Sequence, residues 1–389
     1  MMKPVIFLNS HPIQYFAPLY QQLHSTGVPL TVYYCSDESI KGKLDKGFGK
    51  EVKWDIPLLE GYNNIFIKNN SWKASIHNGF FGLVNFGVIK LLYKQPKSVV
   101  IVHGWAYSTN IMAIVFGKIF GHTICLRTET PLNQERQKNK FITSAKHIYL
   151  RFLFLFIDRF LYIGKQNKLF YQALGIKENK LVFTPYAVDN KRFRNIFRTT
   201  SLQSAKEQLK LPANKKIILY SGKYISKKRP LDLLKAFQQL NDENALLVMA
   251  GDGELRGEME AYIKQHGLEK KVVLTGFINQ SEIPLYYRVA DVFVMCSGLG
   301  ETWGLSINEA MNFGLPIIVS DTCGSAYDLI VDKVNGAVFE TGNIAQLSLL
   351  LNEYLNLPVE KRAEASDASL KRIDEYSYDR IIDSIKELQ

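Results

Sequence analysis

Two α/β lobes, each a doubly wound parallel sheet wrapped by helices, are the architecture this chain is expected to adopt. Short β-branched or aromatic runs alternate with amphipathic stretches along its 389 residues, and strands that alternate with helices build parallel sheets. The length is too great for one ordinary domain and fits two. The alternation is interrupted by the polar segment 191–214 carrying Arg192, Arg194, Arg198 and Pro212, and then restarts more cleanly. That segment reads as the linker. The expected division is 1–195 for the first lobe, 196–372 for the second and 373–389 for a closing helix.

In the first lobe, strands fit 5–9, 30–34, 99–102, 123–127, 160–163 and 181–183, with helices at 16–24, 108–120 and 167–174. The stretch 37–85, rich in Gly, Asn and Lys, reads as loops and short strands inserted into that lobe. In the second lobe, strands fit 217–221, 245–250, 272–275, 292–295 and 316–320, and helices fit 231–240, 255–266, 281–289, 304–312 and 344–355. Residues 376–388 have the spacing of a final amphipathic helix. Sheets of this kind bind ligands beyond the carboxyl ends of their strands, so the strand ends are where chemistry is sought.

Composition narrows the function classes. A hydrophobic fraction of 47% can bury real cores, which excludes a disordered scaffold. No apolar run reaches the ~18–20 residues of a membrane-spanning helix. The opening run Val5-Ile6-Phe7-Leu8 reads as a strand and is too short for a signal peptide. Cys35, Cys125, Cys296 and Cys323 lie in or beside apolar runs without metal-ligand spacing. They are expected as free buried thiols of a reducing cytoplasm. Charge is uneven: residues 1–195 hold 26 Lys+Arg against 11 Asp+Glu, and the remainder 22 against 26. A basic lobe joined to a mildly acidic one meets different partners. An anionic membrane surface or a phosphate-bearing lipid acceptor fits the basic half. The basic residues are dispersed and no nucleic-acid-binding motif is present, so nucleic acid is not expected. Lys138, Lys140 and Lys146 precede the apolar run 149–157. A basic, aromatic helix can lie on an anionic bilayer, but the unbroken run before Asp158 reads as a helix packed under the first lobe's sheet.

The most informative stretch runs from Gly298 to Met311, Gly-Leu-Gly-Glu301-Thr-Trp-Gly304-Leu305-Ser306-Ile-Asn-Glu309-Ala-Met. It follows a strand, turns on glycines and enters a helix near Gly304. Backbone N–H groups at that helix start can hold an anion or sugar oxygens. Glu301 sits in the loop and Glu309 in the helix, so two carboxylates approach one site from different depths. Taken alone, the stretch equally fits a Glu301 that favours the helix dipole and a Glu309 on the surface.

Context adds weight to the first reading. Glu301-Thr302-Trp303-Gly304-Leu305, then Asn308-Glu309-Ala310-Met311 and Phe313-Gly314-Leu315-Pro316-Ile317-Ile318, resembles the signature of glycosyltransferase family 4, whose fold is GT-B. Four further segments match in order: Tyr220-Ser221-Gly222-Lys223 with Lys228-Arg229-Pro230; Ala250-Gly251-Asp252-Gly253; Thr275-Gly276-Phe277 with Tyr286, Tyr287 and Ala290-Asp291-Val292-Phe293; and Asp328-Leu329 with Asn335-Gly336. The resemblance covers nearly all of the second lobe and is specific as a set. It implies two Rossmann-like lobes facing a cleft, with the last helix crossing back to the first lobe.

The resemblance also implies roles. Glu309 would accept the ribose hydroxyls of a nucleotide-diphosphate sugar. Glu301 would bind the donor sugar and stabilise oxocarbenium-like charge. Lys223 and Lys228 would neutralise the departing diphosphate, and Gly222, Phe277, Gly304, Leu305 and Ser306 would complete the donor site. No Asp-x-Asp motif is present, so neither a metal nor a cofactor is needed to account for leaving-group charge, since lysines supply it. These lysines would otherwise read as a solvated basic loop beside Lys227 and Arg229. The family commonly has Arg where Lys223 stands, and Lys lacks the bidentate phosphate grip.

The first lobe matches less closely. His103-Gly104-Trp105 ends a strand, and the family often has a histidine there near the donor sugar and acceptor, positioning rather than taking a proton. A strand-end histidine bonded to a loop carbonyl fits His103 equally. In Leu126-Arg127-Thr128-Glu129-Thr130, Arg127 and Glu129 form an ion pair with each other or contact the acceptor. The loop Asn9-Ser10-His11-Pro12-Ile13-Gln14-Tyr15-Phe16 lacks the glycines many relatives carry. It resembles a branch of the family with a His-Pro-Ile-Gln-Tyr-Phe loop. His11 points into the cleft, or Pro12 simply opens the helix. Pro185-Tyr186-Ala187-Val188-Asp189-Asn190 resembles the family's lead into the hinge.

The expected activity is retaining glycosyl transfer from a nucleotide sugar to a glycan or lipid-linked acceptor, in bacterial surface polysaccharide synthesis, by a cytoplasmic enzyme on or near the membrane's inner face. The rival readings are a sugar-nucleotide epimerase on the same architecture and a non-catalytic sugar-nucleotide-binding protein.

Overall fold

The computed structural model describes every residue except Met1, Lys43, Lys46, Phe48, Gly49, Val52 and Asn241. The chain forms two compact units. One comprises Met1–Lys43, Ile56–Tyr186 and Tyr378–Gln389, the other Leu44–Asp55 and Ala187–Ser377.

The strands, in chain order, are β1 Val5–Asn9, β2 Leu30–Tyr34, β3 Leu44–Asp45, β4 Lys50–Glu51, β5 Asn63–Phe66, β6 Val99–His103, β7 Thr123–Arg127, β8 Arg159–Tyr162 and β9 Leu181–Phe183. They continue with β10 Lys216–Ser221, β11 Ala245–Ala250, β12 Val272–Gly276, β13 Val292–Met295, β14 Ile317–Ser320 and β15 Gly336–Phe339. In the first unit seven strands pair in parallel in the order β5-β2-β1-β6-β7-β8-β9. Val99, Val100, Ile101 and Val102 are all buried, which is why the sequence there is continuously apolar rather than alternating. Strand order reverses between β1 and β6, the place where doubly wound sheets open a crevice for a ligand. Asn9 and His103 end these two strands.

The final helix, Tyr378–Lys386, belongs to this first unit, as the crossing helix was expected to. Its Ser384 hydroxyl donates to the Phe183 carbonyl at 2.8 Å, and its Tyr378 hydroxyl to that of Tyr15 at 2.8 Å.

The second unit has six parallel strands in the order β12-β11-β10-β13-β14-β15. Order reverses between β10 and β13, so Gly222 and Cys296 sit just past the two strand ends at the reversal. A buried core of Leu219, Leu247, Met249, Phe293 and Ile318 fixes the central strands. All four cysteines are free and buried.

Four local expectations change. The supposed linker is helical at Asn190–Thr199 and Leu202–Gln208 and belongs to the second unit. Asp189 and Ser201 cap these helices by accepting from Arg192 N at 3.0 Å and Ser204 N at 3.1 Å, and Phe193 is buried. The division between units therefore falls at Tyr186 and Ala187, ahead of 195. The insertion 37–85 is split, because Leu44–Asp55 packs with the second unit. Finally, the apolar run 149–157 is only half buried. Leu150, Leu153, Phe154 and Ile157 face the core, while Tyr149, Phe152, Leu155 and Phe156 are exposed.

Candidate active site

In the second unit, β13 ends in Met295 and the chain turns on Gly298 and Gly300. Gly300 has φ +95°, and a Cβ there would stand 2.9 Å from Lys227 Cδ. The turn is fastened by Gly298 N donating to the Lys227 carbonyl at 2.8 Å and Lys227 Nζ to the Gly300 carbonyl at 3.2 Å. This brings the loop after β10 against the loop after β13. As a result Lys228 Nζ forms an ion pair with Glu301 Oε2. Burial opposes ionisation of Glu301, but the Lys228 and Lys227 ammonium groups overcome it and hold the carboxyl below its usual value. Glu301 is therefore a buried carboxylate.

Gly304 then opens the helix Leu305–Met311 at φ +97°. A Cβ there would meet Met295 Sδ at 2.6 Å and Cys323 Sγ at 3.0 Å, so only glycine fits this entry. Leu305 and Ser306 form the first turn and are half buried. Glu309 is not on the surface. It is buried, and its Oε2 accepts from the Tyr287 hydroxyl at 2.7 Å. The Trp303 indole donates to Asn308 at 2.8 Å and locks the turn between the two glutamates.

Lys223 follows Gly222 in a loop pinned by two buried tyrosines. The Tyr220 hydroxyl donates to the Lys223 carbonyl at 3.0 Å, and the Tyr224 hydroxyl to that of Met249 at 2.6 Å. A Cβ on Gly251 would stand 1.9 Å from the Gly222 carbonyl, so the Gly251-Asp252-Gly253 turn exists to let two backbones pass closely. Phe277, beyond β12, has a neighbour the sequence did not foretell. Trp54 lies with its ring centroid 5.9 Å away. Its segment is held by Asn279 Nδ2 donating to the Lys53 carbonyl at 2.9 Å and by Ser281 N donating to Asp55 at 3.1 Å.

In the first unit, His103 and Arg127 are register partners at the ends of β6 and β7. The Arg127 guanidinium lies over Phe16 at 5.0 Å and Tyr186 at 4.8 Å, and pairs with Glu129 at 3.6 Å. The Phe16 ring also meets His103 edge-on at 4.9 Å. Burial, and secondarily the Arg127 charge, push the His103 pKa well below its ordinary value, so the ring is neutral. His103 Nε2 and Arg127 Nη2 are buried with no hydrogen-bond partner among the described residues. The backbone carbonyl of His103, rather than its ring, is tied down, by Asn110 Nδ2 at 2.8 Å. His11 belongs to a different neighbourhood. It bonds Ser10 at 2.9 Å and is pushed down to about 4, first by burial, with Glu38 and His77 nearby acting in opposite directions. Among the described residues, no three His, Cys, Asp or Glu side chains are grouped so as to hold a metal ion.

Comparison with known proteins bears on this geometry. Residues 203–372 match the family model described as Glycosyl transferases group 1. That span contains the Lys228–Glu301 pair and Glu309. An uncharacterized glycosyltransferase of Methanocaldococcus jannaschii is 36% identical over 124 residues, 32% of this chain and 31% of that protein. A Campylobacter jejuni protein named GalNAc-alpha-(1->4)-GalNAc-alpha-(1->3)-diNAcBac-PP-undecaprenol alpha-1,4-N-acetyl-D-galactosaminyltransferase is 27% identical over 278 residues, 69% of each chain. The chain spans less than half the length of the first curated relatives it matches. Among solved structures, Anabaena HepE in complex with UDP superposes with a TM-score of 0.76 over 99% of both chains at 15% identity. At that identity the likeness establishes the fold, two GT-B lobes. The family match and the relatives' names together support a glycosyltransferase.

Proposed function

We propose that this chain is a retaining glycosyltransferase that moves a sugar from a nucleotide-diphosphate donor to a glycan or lipid-linked acceptor in bacterial surface polysaccharide synthesis. The observation that carries the reading is the buried Lys228–Glu301 pair beside a buried, tyrosine-held Glu309 at the strand-order reversal of the second unit. Glu309 receives the donor's ribose hydroxyls, and Tyr287 fixes its orientation. Lys223 and Lys228 meet the diphosphate, and Lys228 then shares its charge between Glu301 and the phosphate. Glu301, ionised although buried, accepts from the donor sugar and stabilises positive charge as the anomeric bond to the diphosphate breaks. The acceptor oxygen attacks on the same face and its proton passes to the departing diphosphate, so no side-chain base is required. In the first unit, His103, held neutral by burial and the Arg127 charge, is the acceptor-side residue of this reading and offers its Nε2 to a hydroxyl. The lysines supply the charge a metal would otherwise supply, so turnover should persist in a chelator.

The test is a thermal shift of the purified protein against UDP, GDP, ADP, CMP and dTDP. HepE structures are complexes with UDP and with UDP-glucose, which makes UDP the first to try. A ligand at about 100 times its Kd stabilises a fold by about 2.7 kcal/mol. One nucleotide should shift the native protein and leave Glu309→Ala unmoved. If none does, the donor site is misplaced.

A further inference from the structure

The helix Lys140–Leu153 and the short turn Phe154–Phe156 after it face two ways. Leu150, Leu153 and Phe154 enter the core. On the opposite side, Phe141, Ile142, Ile148, Tyr149, Phe152 and Leu155 recur at spacings that place them on one stripe of the helix. They stand in solvent: Phe141 is 88% exposed, Ile142 70%, Phe152 68% and Leu155 75%. Single exposed apolar residues need no explanation, but a continuous stripe of six does.

The charge around the stripe has one sign. From residue 136 to residue 156 there is no Asp or Glu, while Arg136, Lys138, Lys140, Lys146 and Arg151 are all present. Glu135, just ahead, is buried and already paired with Lys138 and Lys146. Lys140 and Arg151 are exposed on the helix that carries the stripe. A second copy of the chain docked stripe to stripe would set this basic segment against its equal with no carboxylate in it to compensate, which is costly. An anionic bilayer answers both features: headgroups meet the ammonium and guanidinium groups, and the aromatic and aliphatic side chains enter the acyl boundary. No described helix is long and apolar enough to cross a membrane, so the contact is with the surface.

We infer that the exposed stripe of helix Lys140–Leu153 docks the first unit onto an anionic lipid surface. The inference goes beyond the donor-site reading and uses none of its residues.

The test is flotation of the full chain with vesicles of phosphatidylcholine alone or with about one third phosphatidylglycerol. The native chain should float with the anionic vesicles at least about tenfold more than with the neutral ones, and lose most of that at about 0.5 M salt. The triple variant Phe141→Ser, Phe152→Ser, Leu155→Ser should lose about tenfold in binding with an unchanged melting temperature, because the residues it alters are in water. Phe152→Trp supplies a positive signal: the indole emission it adds should shift to the blue on anionic vesicles and be quenched by brominated lipid. No flotation of the native chain, undiminished flotation of the triple variant, or an unshifted indole signal from Phe152→Trp would each overturn the inference. So would a native dimer that the triple variant dissociates, since a second copy would then own the stripe. None of these readouts involves a nucleotide, so the donor-site reading stands or falls separately.

Discussion

The Lys228 ammonium and the Glu301 carboxylate meet as an ion pair largely withdrawn from water, with the two side chains 17% and 10% exposed. Removing one member of such a pair leaves the other charge uncompensated. Lys228→Ala should therefore cost both chemistry and stability. We expect kcat to fall by about 10²–10³-fold, the usual cost of deleting a charge-stabilising donor, with a smaller rise in KM. Glu301→Gln keeps the shape and loses the charge, and should fall comparably in kcat. Steady-state kinetics with the nucleotide sugar identified by thermal shift give the answer. A Lys228→Ala enzyme with native kcat would remove Lys228 from the site.

The same pair sets a pH dependence. The Glu301 carboxyl lies below its ordinary value of 4.5 in the fold. A depressed carboxyl contributes stability that is present above the unfolded pKa and lost as pH falls through the folded one. In Lys228→Ala, burial acts on Glu301 with less opposition and raises its pKa, so the variant regains stability on protonation. The stability gap between native protein and variant should be widest near pH 7 and shrink toward pH 4. Urea melts at several pH values test this, and a gap constant with pH would refute it.

Tyr287 and Glu309 offer a milder perturbation. Tyr287→Phe removes the hydroxyl that donates to Glu309 Oε2 at 2.7 Å and should destabilise by about 1–3 kcal/mol, the cost of taking a donor from a buried acceptor. Freed from that bond, Glu309 reorients, so donor KM should rise several-fold while kcat changes little. A loss confined to kcat would mean that Glu309 acts on the transition state rather than on the nucleotide.

These predictions lean on features the sequence exposed unevenly. Strands such as Val99–His103 were legible because burial on both faces demands an unbroken β-branched run. Edge strand Asn63–Phe66 was not, because most of it is exposed and two of its four residues are Asn. The helices at 190–208 hid behind arginines: Phe193, Ile196 and Phe197 have helical spacing, but Arg192, Arg194 and Arg198 interleave them and make the segment read as a polar linker. The run 149–157 packs under the sheet on one side only, for a general reason: apolar residues tell that a helix is sticky, not which face the core takes. The glutamates and lysines of the second unit were legible as residue types at strand ends. Their pairing was not, because the Lys228–Glu301 contact depends on how two loops from distant strands fold over each other. Trp54 was invisible for the same reason, its partner Phe277 being more than two hundred residues away.

Trp54 can be tested directly. An aromatic pair contributes about 0.5–1.5 kcal/mol beyond its buried area. Trp54→Ala should therefore cost about that much and loosen the segment around Lys53–Asp55, seen as a roughly 3–10-fold faster amide exchange there. Unaltered exchange would mean that the hydrogen bonds from Asn279 and Ser281 hold the segment without the ring.

His103 supplies a second acid-sensitive element, in the first unit. Its folded pKa lies well below 6.5 because burial, and then the Arg127 charge, exclude a second proton. A histidine held neutral contributes stability above its unfolded pKa and forfeits it as pH falls from 6.5 toward the folded value. The slope is about 1.4 kcal/mol per pH unit for one proton. His11, pushed down to about 4, adds to the slope over the same window. His103→Gln substitutes a neutral amide that cannot titrate, so the variant should lose stability less steeply than the native protein between about pH 6.5 and pH 5. Arg127→Gln removes only the secondary cause and should flatten the profile less. Parallel pH profiles for native protein and His103→Gln would show that His103 takes up its proton in the fold as readily as in the unfolded chain, and the depressed pKa of the buried ring would be refuted.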